Sequence, residues 1–177
     1  MEETMYILFV CTGNTCRSPM AAAFLRRLVE ERALDWKVDS AGLMAMEGAP
    51  MTEHAAQALA RRQVPAEGHA AKRLTRDMLR EADLVLTMSR SHRQALVDVF
   101  PELAEKVHTL HAFAHEVPED EAQDVVDPFG GGEEVYEACA EHLADLVHRA
   151  FARLMRDAAG GADAKGESGD GAVEQSD

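Results

Sequence analysis

Tyr6-Ile7-Leu8-Phe9-Val10 is a continuous apolar run of β-forming residues, and it stops at Cys11-Thr12-Gly13-Asn14. A few residues later comes Ser18-Pro19, after which Met20, Phe24, Leu25 and Leu28 recur at helical spacing. Serine before proline fits a helix N-cap with proline at N1. The period carries that helix to about Arg32. Strand, tight loop and helix in this order are the first half of a parallel β-α-β unit, a limited choice of architecture.

The rest of the chain repeats the alternation. Trp36–Ala41 reads as a second strand ended by Gly42. Thr52 is placed to cap a helix reaching Arg61, with Ala55, Ala56 and Leu59 on one side. Thr75 is placed to cap a short helix with Met78, Leu79 and Ala82 inward. Asp83–Met88 reads as a buried parallel strand, Ser91–Val99 as a helix that Pro101 helps to end, and Val107–Leu110 as a fourth strand. Glu116–Asp127 reads as an acidic surface loop. Val135, Cys139, Leu143, Leu146, Val147, Ala150 and Leu154 keep helical period from Glu133 to about Asp157. The expected fold is α/β, a mainly parallel sheet covered on both faces with right-handed crossovers. Ligands of such folds sit beyond the strand C-termini, which puts the Cys11 loop at the sheet mouth.

Composition narrows the function. A chain of 177 residues that is 46% hydrophobic can bury a core and fits one domain. We assign residues 1–157 to it. Residues 158–177 carry five acidic residues against Lys165 alone and few apolar side chains, which predicts a disordered, solubilising acidic Gly-rich tail. The net charge of −14 argues against a nucleic-acid partner, although it leaves room for a small positive pocket. No run approaches the roughly 18 apolar residues of a membrane span. Glu2 and Glu3 stand where a signal peptide would be basic. Three cysteines, Cys11, Cys16 and Cys139, do not make a disulfide scaffold, so a cytoplasmic setting is expected.

The chemistry concentrates in Cys11-Thr12-Gly13-Asn14-Thr15-Cys16-Arg17-Ser18. Backbone N–H groups curled before a helix N-terminus make an anion cradle. Gly13 and Asn14 tolerate the unusual backbone angles that a tight cradle needs. Arg17 adds a planar donor fork suited to two phosphoryl oxygens. These donors also favour the thiolate form of Cys11, so a nucleophile and an oxyanion cradle share one loop. The loop lacks the Gly-Lys-Ser/Thr of a nucleotide P-loop, and Cys11 and Cys16 are spaced neither as a Cys-x-x-Cys redox motif nor as usual zinc ligands. Phosphoryl transfer then needs a proton donor. Asp127, before Pro128-Phe129-Gly130-Gly131 and free to reach the sheet mouth, is the best-placed carboxyl.

Val10 through Ala21 resembles the signature of the low-molecular-weight protein tyrosine phosphatases, and Ser40-Ala41-Gly42 and Asp127-Pro128 match that family in order and spacing. The resemblance spans about Met5 to Met155. It implies a three-layer α/β sandwich with a four-stranded parallel sheet flanked by helices. It implies Cys11 as nucleophile, Arg17 as phosphoryl-binding arginine and Asp127 as general acid, then base. It further implies that Ser18 steadies the thiolate, that Asn14 holds the loop with help from Ser40 and His69, and that Cys16 can form a protective disulfide with Cys11. No metal or cofactor is implied. Phosphorylated proteins are the expected substrates, inorganic phosphate is the product, and a monomer is expected.

Two departures bear on specificity. Thr15 stands where many tyrosine-directed members carry isoleucine or another bulky aliphatic residue, and Phe129-Gly130 stands where a pair of tyrosines commonly follows Asp-Pro. Both features resemble the bacterial protein arginine phosphatase branch. A hydroxyl at Thr15 could place the attacking water and is compatible with a polar guanidinium, whereas isoleucine would dry that position. Tyrosine phosphatase is the alternative. A thiol-based arsenate reductase would need further resolving cysteines, and Arg80–Ser91 has none. A phosphocarrier would be undermined by Arg17 and Asp127, which hasten hydrolysis. His108, His111 and His115 read as satisfied or exposed histidines, Cys139 as inert core, and Met44, Met46 and Met51 as packing or an apolar rim.

Overall fold

The computed structural model describes residues 4–66 and 68–166. Four strands form one sheet: β1 (Tyr6–Cys11), β2 (Lys37–Gly42), β3 (Leu84–Thr87) and β4 (Val107–Thr109), in the order β2-β1-β3-β4. Every pairing is parallel, with Cys11 opposite Gly42 and Val10 opposite Thr87. Parallel strands need long crossovers, which here are helical. These are α1 (Arg17–Glu31), α2 (Glu53–Arg61), α3 (Arg76–Glu81) and α4 (Arg90–Val99), while α5 (Leu110–His115) and α6 (Glu133–Gly166) follow the last strand.

Alternation along β1 divides the core into two layers. Ile7, Phe9 and Cys11 face a cluster built with Met20, Phe24, Leu59, Phe113, Leu143 and Leu146, under α1, α2, α5 and α6. Tyr6, Leu8 and Val10 face a second cluster with Leu79, Val85, Leu96 and Val107, under α3 and α4. All six β1 residues are therefore buried, which is why the run is continuously apolar. The chain moves from β1 out to β2 and then returns past β1 to β3. The order in which strands are laid down thus reverses beside β1, although all of them run the same way, and the crevice at such a switch point lies at the strand C-termini, where Cys11 stands.

Several expected elements differ in detail. Ser18 does not cap α1: the helix starts at Arg17 with Cys16 at the cap position, and Ser18 is buried in the first turn. Its hydroxyl is drawn to the sulfur of Cys11 instead. Thr52 occupies the cap position of α2 without a capping hydrogen bond, whereas Thr75 caps α3 through the N–H of Met78. The fourth strand ends at Thr109, whose hydroxyl caps α5, a helix the apolar pattern did not separate from the strand. Pro101 opens a 3-10 turn, Pro101–Lys106, and Glu119–Glu121 forms another within the acidic loop. The last helix continues past Asp157 to Gly166, so the first part of the predicted tail is helical, and residues 167–177 lie outside the described residues.

Candidate active site

Cys11 closes β1, and the chain then curls through residues 12–16 into α1. The Cys11 Sγ lies 2.8 Å from Ser18 Oγ and 3.3 Å from the N–H of Asn14. Ser18 Oγ also accepts from Asn14 Nδ2 at 2.9 Å. A hydroxyl has one hydrogen, and an amide N–H₂ can only donate, so the hydrogen of Ser18 is left for the sulfur. Two donors thus converge on Cys11 at the N-terminal, positive end of α1, the arrangement that stabilises a thiolate.

Asn14 is the keystone of the curl. Its φ is 57°, in the left-handed region, at a cost of about 1–2 kcal/mol for most side chains. The neighbours over-determine it. Nδ2 donates to Ser40 Oγ at 2.9 Å as well as to Ser18, Oδ1 accepts the N–H of Lys72 at 3.0 Å, and His69 Nε2 sits 2.7 Å from its carbonyl oxygen. The expected helpers Ser40 and His69 are therefore both in contact with Asn14. Gly42 supplies what no side chain could: a Cβ there would lie 2.6 Å from the Thr12 carbonyl oxygen and 3.0 Å from the Asn14 nitrogen.

Arg17 is buried and reaches back across the mouth. One terminal nitrogen donates to the Val125 carbonyl at 3.1 Å, and the other lies 3.6 Å from Asp127 Oδ2. Its Nε is buried with no partner among the described residues, a donor available to an oxyanion. Asp127 is 52% exposed, and its Oδ1 accepts the N–H of Phe129 at 3.1 Å. This turn holds the carboxylate over the bowl. The segment is anchored to the sheet by the Val125 N–H on Met88 O, just beyond β3. Phe129 stands exposed beside it. Thr15 is half-buried, its hydroxyl close to Gly13, while its carbonyl takes the N–H of Thr52.

Cys16 is buried 3.9 Å from Asp127 Oδ1. Burial above all, then the nearby Cys11, pushes its thiol up to about 11. Cys139 is buried against the Val126 carbonyl, and burial pushes its thiol up to about 12. All three cysteines are free. His108 lies 3.7 Å from Glu119, His111 accepts the N–H of Gln123, and His111 stacks on His115. Among the described residues no cluster of His, Cys, Asp or Glu could hold a metal ion. No helix of the described residues is long and apolar enough to cross a membrane.

Sequence reasoning placed Cys11, Asn14, Cys16, Arg17, Ser18, Ser40, His69 and Asp127, and the fold brings all of them to one rim. It passed over His92, whose Nε2 lies 2.8 Å from Thr12 Oγ1. The available signal was Ser89-x-x-His92 directly after a strand, which puts a histidine in the first turn of a helix at the sheet mouth. The Val125 carbonyl had no signal at all, because every residue type carries a backbone carbonyl.

Residues 6–159 match the family model for low molecular weight phosphotyrosine protein phosphatase. A protein-arginine-phosphatase of Bacillus subtilis is 37% identical over 86% of this chain and 99% of its own length. The tyrosine phosphatase PtpB of Staphylococcus aureus is 34% identical over 81% of this chain and 94% of its own. The solved structure of the YwlE arginine phosphatase from Geobacillus stearothermophilus superimposes with a TM-score of 0.77 at 39% identity, covering 86% of this chain and 94% of that one. With its cysteine at the base of an anion cradle and these relatives along nearly its whole folded length, the chain belongs to the low molecular weight phosphotyrosine protein phosphatase family and is a cysteine-based phosphatase.

Proposed function

We propose that this phosphatase hydrolyses phosphoarginine in proteins. Thr15, a hydroxyl at the mouth of the bowl where an aliphatic residue would make a dry wall, is the observation that carries the reading. The Bacillus subtilis relative, a protein-arginine-phosphatase, agrees with it. Cys11 Sγ attacks phosphorus in line, and the loop N–H groups and Arg17 hold the equatorial oxygens. The P–N bond breaks, Asp127 gives its proton to the departing guanidino nitrogen, and a cysteinyl-phosphate forms. Asp127, now a carboxylate, takes a proton from a water that Thr15 helps to orient. The hydroxide attacks phosphorus, the S–P bond breaks, and inorganic phosphate and the Cys11 thiolate remain. Ser18 and the Asn14 N–H stabilise that thiolate as nucleophile and as leaving group. Cys16, held as a thiol by burial, is the partner for a reversible disulfide with Cys11 when an external oxidant such as a peroxide takes two electrons and two protons from the pair. A thiol nucleophile and three free cysteines suit a reducing compartment such as the cytoplasm.

Phe129 supports a second reading. Its ring is 73% exposed next to Asp127 and could flank a phenol, as tyrosine hydrolysis would require. Steady-state kinetics on phosphoarginine and phosphotyrosine versions of one peptide decide between them. The arginine reading expects Thr15→Ile to lose most activity on phosphoarginine while keeping or gaining it on phosphotyrosine. Equal losses on both substrates would remove Thr15 as a filter.

A further inference from the structure

His92 sits in the first turn of α4, where Ser89 Oγ accepts its backbone N–H at 3.1 Å and Thr87 Oγ1 in turn donates to the Ser89 carbonyl. The imidazole is buried. Its Nε2 lies 2.8 Å from Thr12 Oγ1, and its Nδ1 is buried with no partner among the described residues. Burial, and then the charge of Arg17, lower the ring's pKa below that of a free imidazole and so favour its neutral form. A neutral ring carries one hydrogen. Placed on Nδ1 it would be a buried donor without an acceptor, the rarer and costlier defect. The hydrogen therefore sits on Nε2 and is donated to Thr12 Oγ1. The Thr12 hydroxyl is left with a second lone pair, in an orientation its own free rotor would not hold.

Thr12 is exposed, whereas Cys11, Asn14 and Arg17 are buried. Thr12 thus lies on the solvent side of the loop, the side toward which an in-line leaving group, opposite the Cys11 sulfur, points. A guanidinium carries only N–H donors around its edge, and a phenol ring offers none there. We propose that Thr12, held in place by His92, is a second specificity-determining residue, whose hydroxyl oxygen accepts an N–H of the phosphoarginine guanidinium. His92 is the positioning residue and does not touch the substrate. This rests on the arginine reading above.

The test compares wild type, Thr12→Val, His92→Leu and His92→Gln on phosphoarginine and phosphotyrosine versions of one peptide, with melting curves to confirm folding. Thr12→Val and His92→Leu are each expected to raise KM for phosphoarginine at least about tenfold, the worth of one hydrogen bond to a charged group. The phosphoarginine-to-phosphotyrosine ratio of kcat/KM falls with it. His92→Gln, whose amide nitrogen can donate from the same place, restores the ratio. A folded Thr12→Val or His92→Leu enzyme with the wild-type ratio overturns the proposal, as does a matching loss of kcat on both substrates. A wild type without phosphoarginine turnover overturns the arginine reading itself and this inference with it.

Discussion

Gly42→Ala separates the shape of the bowl from its chemistry, because Gly42 lends no functional group to the site. The added methyl would lie 2.6 Å from the Thr12 carbonyl oxygen. A comfortable carbon–oxygen contact is about 3.3 Å, so something must move by several tenths of an ångström. Gly42 cannot retreat: its N–H is bonded to Lys72 O and its carbonyl to Leu74 N–H, each at 2.9 Å. The Asn14 nitrogen and the Ala45 methyl, both 3.0 Å from the new carbon, block the sides. The loop at Thr12 and Asn14 is what gives. Overpacking of this kind costs about 1–3 kcal/mol, a fall of several degrees in Tm for a domain of this size. A misplacement approaching 1 Å costs up to about 10²-fold in rate, so kcat/KM for an aryl phosphate is expected to drop roughly 10- to 100-fold, with phosphate inhibition weakened in parallel. Wild-type kcat/KM and phosphate affinity in a folded Gly42→Ala enzyme would refute the claim that this contact shapes the anion cradle.

Other outcomes follow from the same geometry. Cys11→Ser should abolish turnover while isothermal titration still detects phosphate, since Arg17 and the loop amides remain; full activity in that variant would end the thiolate scheme. With Cys16 raised to about 11 and Cys139 to about 12, both are thiols at pH 7, and brief iodoacetamide treatment should label Cys11 alone, as peptide mass mapping would show. Comparable labelling of Cys16 would contradict the raised pKa that holds it as a thiol. Burial lowers the affinity of His92 and His108 for protons. The unfolded chain then binds more protons than the folded one below about pH 6.5, so stability falls as pH drops through that value. Melting curves at pH 7.5 and 5.5 test the direction, and NMR titration of the two rings tests the assignment.

The local patterns were readable because their causes are local. An apolar run before Cys11, a proline three residues into a loop-to-helix junction and a 3.6-residue period in α6 act through neighbours in sequence, so the strand–loop–helix opening and the C-x5-R-S anion cradle stood out from the residues alone. Helix ends were read less well. Ser18 looked like a cap because its neighbour is proline, yet the sulfur of Cys11 and the amide of Asn14 compete for its hydroxyl and win. Thr109 stopped β4 one residue early because its side chain caps α5. What no local pattern could contain is the convergence on the rim. The order β2-β1-β3-β4 sets the C-termini of β1, β2 and β3 side by side. That order carries Ser40, Gly42, Lys72, His92 and the Val125 carbonyl to one short loop from positions up to 108 residues apart. Two of these partners, the Lys72 N–H and the Val125 carbonyl, are backbone atoms that other residue types would supply equally. Their role is set by where the sheet brings them, and even the need for glycine at position 42 shows only once Thr12 and Asn14 are packed against it.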